Sequence, residues 1–193
     1  MALQGAKSGG GHGMLSYWKD TVIHILKKEV SVSAGKRNLA HTLSGFIRTD
    51  KNIQKEKSLL ESLDKYLKSH EKNRFSIVAG ARAIRWNIIE SVRLTGFTPI
   101  AVAKPDKTFA SYFFLEDKVS WQSEIRFPIL QSYLAHEVLQ CDINNLEIGV
   151  YCLKTDSFYF KRYTMAETAA AIAELGTIFK TVNNVYEDKK RRS

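Results

Sequence analysis

The chain has 193 residues, 44% of them hydrophobic, the size of about one domain with enough apolar matter for a packed core. Its formal charge of +9 favours a polyanionic partner, because each cation seated on a phosphate releases a condensed counterion. No apolar run reaches the roughly 18 residues that cross a bilayer, and the two cysteines, Cys141 and Cys152, have no Cys or His nearby at zinc-ligand spacing, so they read as buried thiols of a reducing, cytoplasmic compartment.

The N-terminal MALQGAKSGGGHG lacks the apolar stretch of a signal peptide, and its Gly, Ser and Lys content predicts a flexible basic arm over 1–13. GAKSGGGHG lacks the Gly-Lys-Ser/Thr ending and the preceding strand of a phosphate loop. From Met14 to Val30, Leu15, Trp18, Val22, Ile25 and Leu26 recur at helical spacing and predict a first helix. In SVSAGKRNLAHTLSGFIRTD the serines, glycines and Asn38 break that pattern, which predicts a connecting loop carrying Lys36, Arg37 and Arg48. NIQKEKSLLESLDKYLKSHEK restores the period with Leu60, Leu63 and Leu67, so 14–74 reads as a helical extension packed on the core.

After Arg74 the character changes. GARAIRWNIIESVRLTGF, with Ile84, Ile88 and Val92 four apart, reads as a helix that Gly96 would cap. TPIAVA and FASYFFLEDKVS are rich in β-branched and aromatic residues and read as strands. SEIRFPILQSYLAHEVLQ is helical, with Pro128 in its first turns. NLEIGVYCL and SFYFKRY make a hairpin around Lys154 to Ser157. A long helix follows in TMAETAAAIAELGTIFKTVNNVYED, opened by a capping box of Thr164 and Glu167, and 189–193 is a basic tail. The region 75–188 is therefore an α/β core, a mixed sheet flanked by helices.

One stretch carries chemistry. In PDKTFASYFFLEDK, Pro105 to Lys118, Glu116 and Lys118 stand two apart on a predicted strand and share a face, while Asp117 points the other way. A carboxylate on a hard metal and an ammonium beside it can serve one phosphate, the first binding Mg²⁺ or Mn²⁺ and the second assisting the attacking water. Asp106 is the candidate for the second acid. With Pro-Asp, a gap, then acid-any-Lys, these residues resemble the PD-(D/E)XK nuclease superfamily. The resemblance spans about residues 79–163 and implies a restriction-endonuclease-like fold. It implies Asp106 and Glu116 as metal ligands, Lys118 as the catalytic lysine, and Glu90, in the preceding segment, as an outer acid. Gln131 and Tyr133 fall in the helix where family members often carry Gln and Tyr, though two residues apart rather than four.

Other readings stay open. Pro-Asp is also a turn signal. If Lys104 to Lys107 is the tip of a hairpin, Glu116 lies ten residues along one arm, roughly 30 Å away at the rise of a strand. Glu90 has a surface ion pair with Arg82 or Arg93 as its plain alternative. Arg82, Arg85 and Arg93, with Lys36 and Arg37, are the candidate nucleic-acid contacts, and Trp86 is a candidate for base stacking. The five histidines show no ligand spacing. The expected function is metal-dependent hydrolysis of phosphodiester bonds in a nucleic acid, DNA ahead of RNA, with room for a homodimer. The alternatives are a non-catalytic nucleic-acid-binding module on the same core and a structural or assembly protein of a phage or mobile element.

Overall fold

The computed structural model describes residues 13–192 apart from 81, 90, 91, 118 and 119, and it divides at residue 77 into a helical unit and an α/β unit. The helical unit holds three helices, α1 (Met14–Leu26), α2 (Val32–Ser44) and α3 (Asp50–Lys72). Along α1, Met14, Trp18, Val22 and Ile25 are buried at three- and four-residue spacing, and Trp18 donates its indole N–H to the Leu59 carbonyl of α3 at 2.8 Å. Removing a side chain such as Leu63 or Val22, both fully buried, from water is worth about 2 kcal/mol each, which is why an amphipathic stripe folds here.

The segment predicted as a loop is α2. Its apparent breakers each have a helical role. Ser31 is the N-cap, its hydroxyl accepting from the Ala34 N–H at 3.2 Å. Gly35 lies against α1, where a β-carbon would come within 2.7 Å of Ile25 Cδ1. Asn38 sits on the exposed side. A helix spaced for close approach to its neighbour thus resembles a loop when only its residue types are read. His70 ends the buried face of α3, 8% exposed between Tyr66 and Phe75, and burial lowers its pKa to about 4.

The α/β unit is built on a five-stranded sheet of order β1-β4-β5-β6-β7, formed by β1 (Ser76–Ala79), β4 (Ile100–Ala103), β5 (Phe109–Leu115), β6 (Leu146–Cys152) and β7 (Ser157–Lys161). β4 and β5 are antiparallel, β5 and β6 parallel, and β6 and β7 antiparallel. The parallel step needs a crossover. It is supplied by α4 (Arg126–Tyr133), which runs on into a π-helical turn over Leu134–Leu139. Trp121, Phe127, Leu134, Ile143, Leu146, Ile148, Val150 and Tyr163 form the core between α4 and the sheet. Residues of the alternate register, Tyr112, Tyr151, Phe158 and Phe160, make a second aromatic cluster, with Phe158 4.9 Å from Tyr112 and 4.8 Å from Tyr151 between ring centroids. The α/β class and the hairpin of β6 and β7 are as expected.

The long last helix, α5 (Met165–Arg192), opens on the expected capping box. Glu167 accepts from the Thr164 N–H at 2.7 Å, and Thr164 Oγ1 accepts from the Glu167 N–H at 3.1 Å. Gln131 of α4 is fully buried and ties the helix to the connection between β7 and α5, with its amide bonded to both the N–H and the carbonyl of Tyr163 at 2.9 Å. No helix among the described residues is long and apolar enough to cross a membrane.

The segment predicted as a helix over GARAIRWNIIESVRLTGF is instead a hairpin, β2 (Ala83–Ile89) and β3 (Val92–Phe97), which pair antiparallel as a separate two-stranded sheet. Four-residue spacing puts Ile84 and Ile88 on one side of either a helix or a strand, and the period-two alternation between them decides for the strand. Gly96 caps no helix. It sits within β3 opposite Ile84, with φ +151, a backbone conformation that residues with a β-carbon rarely adopt.

Candidate nucleic-acid interface

The predicted metal site is the first thing the geometry decides. Pro105 and Asp106 form the turn between β4 and β5, closed by the Lys104 N–H to the Thr108 carbonyl at 2.8 Å. Asp106 Oδ1 accepts from the Thr108 N–H at 3.0 Å and from the Thr108 hydroxyl at 2.6 Å. These bonds hold its carboxyl below the usual carboxylate range. The side chain is occupied as a turn lock, with Lys107 at φ +66 completing the corner.

Glu116 lies past the far end of β5, exposed, in the bend that follows Leu115. The seven residues Phe109–Leu115 separate it from the turn, which at the rise of a strand is at least about 20 Å. The expectation that Asp106 and Glu116 share a metal is therefore corrected: the chain turns at 104–108, as Pro-Asp dictates, and not beside Ser111, so the two carboxylates stand at opposite ends of one strand. Beside the body of β5, Glu147 of β6 stands opposite Ala110, and its carboxylate is paired with Lys104 and Arg162. Among the described residues no group of three or more His, Cys, Asp and Glu side chains gathers where it could hold a metal ion. Lys118 and Glu90 lie outside the described residues. Asp117 pairs with Lys154 at 2.7 Å.

The basic candidates are distributed differently. In the helical unit Lys36 is paired with Asp64, whereas Arg37 is exposed one residue on along α2. In the α/β unit, β2 and β3 bring together residues that are six or more apart in sequence. Register pairs are Asn87 with Arg93, Arg85 with Thr95, and Ala83 with Phe97. All six are exposed, and all share one face, because side chains alternate along each strand. The other face carries buried Ile84 with half-buried Trp86, Ile88 and Leu94. Trp86 is turned inward against Tyr133 of α4, ring centroids 5.5 Å apart, which corrects its reading as a stacking platform.

The outward face thus presents two guanidinium groups, an amide and a hydroxyl, with Phe97, 72% exposed, at its base. Among the described residues neither Arg85 nor Arg93 is paired with a carboxylate. Arg82 is exposed at the foot of the ribbon, where its N–H donates to Thr98 Oγ1 at 2.9 Å and its carbonyl accepts from the Thr98 N–H at 2.8 Å. These bonds, with Thr98 buried, anchor the foot, while Trp86 anchors the inner face. Phe97, Asn87 and Thr95 were invisible to residue-type reasoning because only strand pairing assembles them. The signal available in the sequence was the alternation Ile-Arg-Trp-Asn-Ile over residues 84–88.

Against known proteins the chain matches no family model, and a search of curated proteins returns no match.

Proposed function

We propose that this protein is a nucleic-acid-binding module that acts through the β2–β3 ribbon without hydrolysing its ligand. The observation that carries this reading is the convergence of Arg85 and Arg93, unpaired with acids among the described residues, on one exposed ribbon face. A guanidinium left without a carboxylate presents its five donors to whatever anion arrives, and the formal charge of +9 draws a polyanion to the molecule as a whole. The metal-dependent nuclease expected from the Pro-Asp motif required Asp106 and Glu116 on one ion, and a strand's length lies between them. The same turn geometry that removes that site leaves the basic ribbon untouched.

The test is fluorescence anisotropy of labelled DNA and RNA, single- and double-stranded, titrated with the full chain at rising salt. Affinity should fall steeply with salt, and Arg85→Glu with Arg93→Glu together should weaken it at least tenfold, since two attractions become repulsions. Affinity that is flat from low to physiological salt, or indifferent to the double reversal, refutes the proposal. No cleavage should accumulate with Mg²⁺ or Mn²⁺ present.

A further inference from the structure

The geometry points to one ligand for the ribbon: its outward face enters the major groove of duplex DNA and reads base edges there, an inference that rests on the binding function proposed above. Three features lead to it. The first is shape. A two-stranded antiparallel ribbon fits the major groove of B-form DNA, about 12 Å wide, whereas the deep, narrow major groove of an A-form RNA duplex shuts such an element out.

The second feature is the chemistry of the face. Arginine offers a planar pair of donors that matches the O6 and N7 acceptors of guanine, asparagine matches the N6 donor and N7 acceptor of adenine, and Thr or Phe can meet the thymine methyl group. Arg85, Arg93, Asn87, Thr95 and Phe97 are that set, all on one exposed face. Lysines, which engage phosphate as point charges, do not occur within either strand. A single-strand binder would instead turn aromatic rings outward as stacking platforms. Here Trp86 packs inward on Tyr133 and Phe97 is the one aromatic of the outward face.

The third feature is spacing. The rows Asn87/Arg93, Arg85/Thr95 and Ala83/Phe97 follow one another at two-residue intervals, about 6.8 Å along a strand, close to two base-pair steps of about 3.4 Å. Three rows therefore cover about five base pairs. The ribbon reads a short site containing G and A, with its arginines on guanine edges and Asn87 on an adenine edge.

The experiment is selection of a randomised DNA duplex library by the full chain at physiological salt, followed by anisotropy on the enriched duplex. Comparison ligands are a scrambled duplex, the RNA duplex of the same sequence and the single strand. A motif of about five base pairs should emerge, bound at least about tenfold more tightly than the scrambled duplex, with the RNA duplex and the single strand no better than scrambled. Arg85→Lys and Arg93→Lys keep the charge and lose the paired donors, so each should reduce the preference for the motif about tenfold, as should Asn87→Ala. Thermal melting checks that each exposed-site variant is folded. Steeply salt-dependent binding without an enriched motif, a preference that survives all three variants, or RNA bound as tightly as DNA overturns the base-reading role and leaves the binding module standing. Failure to bind any nucleic acid overturns both.

Discussion

Replacing Gln131 by leucine tests how the α/β unit holds a buried amide. The side chain is fully buried in α4, where Nε2 donates to the Ile143 carbonyl at 3.3 Å and to the Tyr163 carbonyl at 2.9 Å, and Oε1 accepts the Tyr163 N–H at 2.9 Å. Leucine nearly conserves the volume, so the cavity contribution is small. The Ile143 carbonyl keeps the Leu146 N–H as a partner, which leaves the N–H and carbonyl of Tyr163 as the groups newly orphaned. Each buried, unpaired backbone group costs about 1–3 kcal/mol, so Gln131→Leu should lower the stability of this unit by about 3 kcal/mol. Glutamate at the same position keeps one acceptor for the Tyr163 N–H but turns a second oxygen on two carbonyls. Gln131→Glu should therefore be at least as damaging at neutral pH and recover toward the wild type in acid, when a protonated carboxyl can donate. Urea denaturation followed by far-UV circular dichroism, with tryptophan fluorescence reporting on buried Trp121, measures both. A loss under about 1 kcal/mol for Gln131→Leu with an unchanged slope, or a Gln131→Glu variant indifferent to pH, would refute the account of this residue as a latch.

Four further outcomes are expected. Gly96→Ala should destabilise the ribbon by about 1 kcal/mol or more, since its φ of +151 is hostile to a β-carbon, and faster amide exchange in β2 and β3 with weaker nucleic-acid binding would show it; unchanged exchange would contradict the strain argument. His70 is held neutral by burial with its pKa lowered to about 4 from 6.5, so the native state resists a proton that the unfolded chain accepts; stability of the helical unit is full above pH 6.5 and should fall between pH 6.5 and 4, a slope that His70→Phe should abolish. Glu167 is lowered to about 2 from 4.5 chiefly by the Thr164 N–H and by Lys161, so its contribution is present above pH 4.5 and lost as pH falls toward 2; Glu167→Gln should flatten the acid limb of a pH–stability curve in that window. Asp106→Asn and Glu116→Gln should not alter melting temperature differently with and without Mn²⁺, because no ion can bridge the two ends of β5; a metal-dependent rise that both substitutions remove would restore the shared site.

What could be read from the chain alone was whatever is decided within a few residues. The stripe of Trp18, Val22 and Ile25, the pairing of Thr164 with Glu167, and the turn chemistry of Lys154 to Ser157 each involve neighbours in sequence, and α1, α5 and the β6–β7 hairpin stand as those residues predict. Pro105-Asp106 was legible too, as a turn, and its own hydrogen bonds to Thr108 make it one. The opposing nuclease reading depended on where the chain reversed, which is a question of strand register. Register is set by hydrogen bonds between strands: β4 with β5 across the turn, and β5 with β6 across the α4 crossover. Likewise a four-residue spacing at Ile84, Ile88 and Val92 satisfies both a helix and a strand; the alternation over residues 84–88 favours the strand, while the pairing of β2 with β3, anchored by Trp86 on Tyr133 and Thr98 at the ribbon's foot, turns Arg85 and Arg93 to the same side. Periodicity and caps are local free energies that a sequence carries openly, whereas the meeting of two side chains from different strands is a non-local event whose loop-closure entropy is repaid only by the assembled fold.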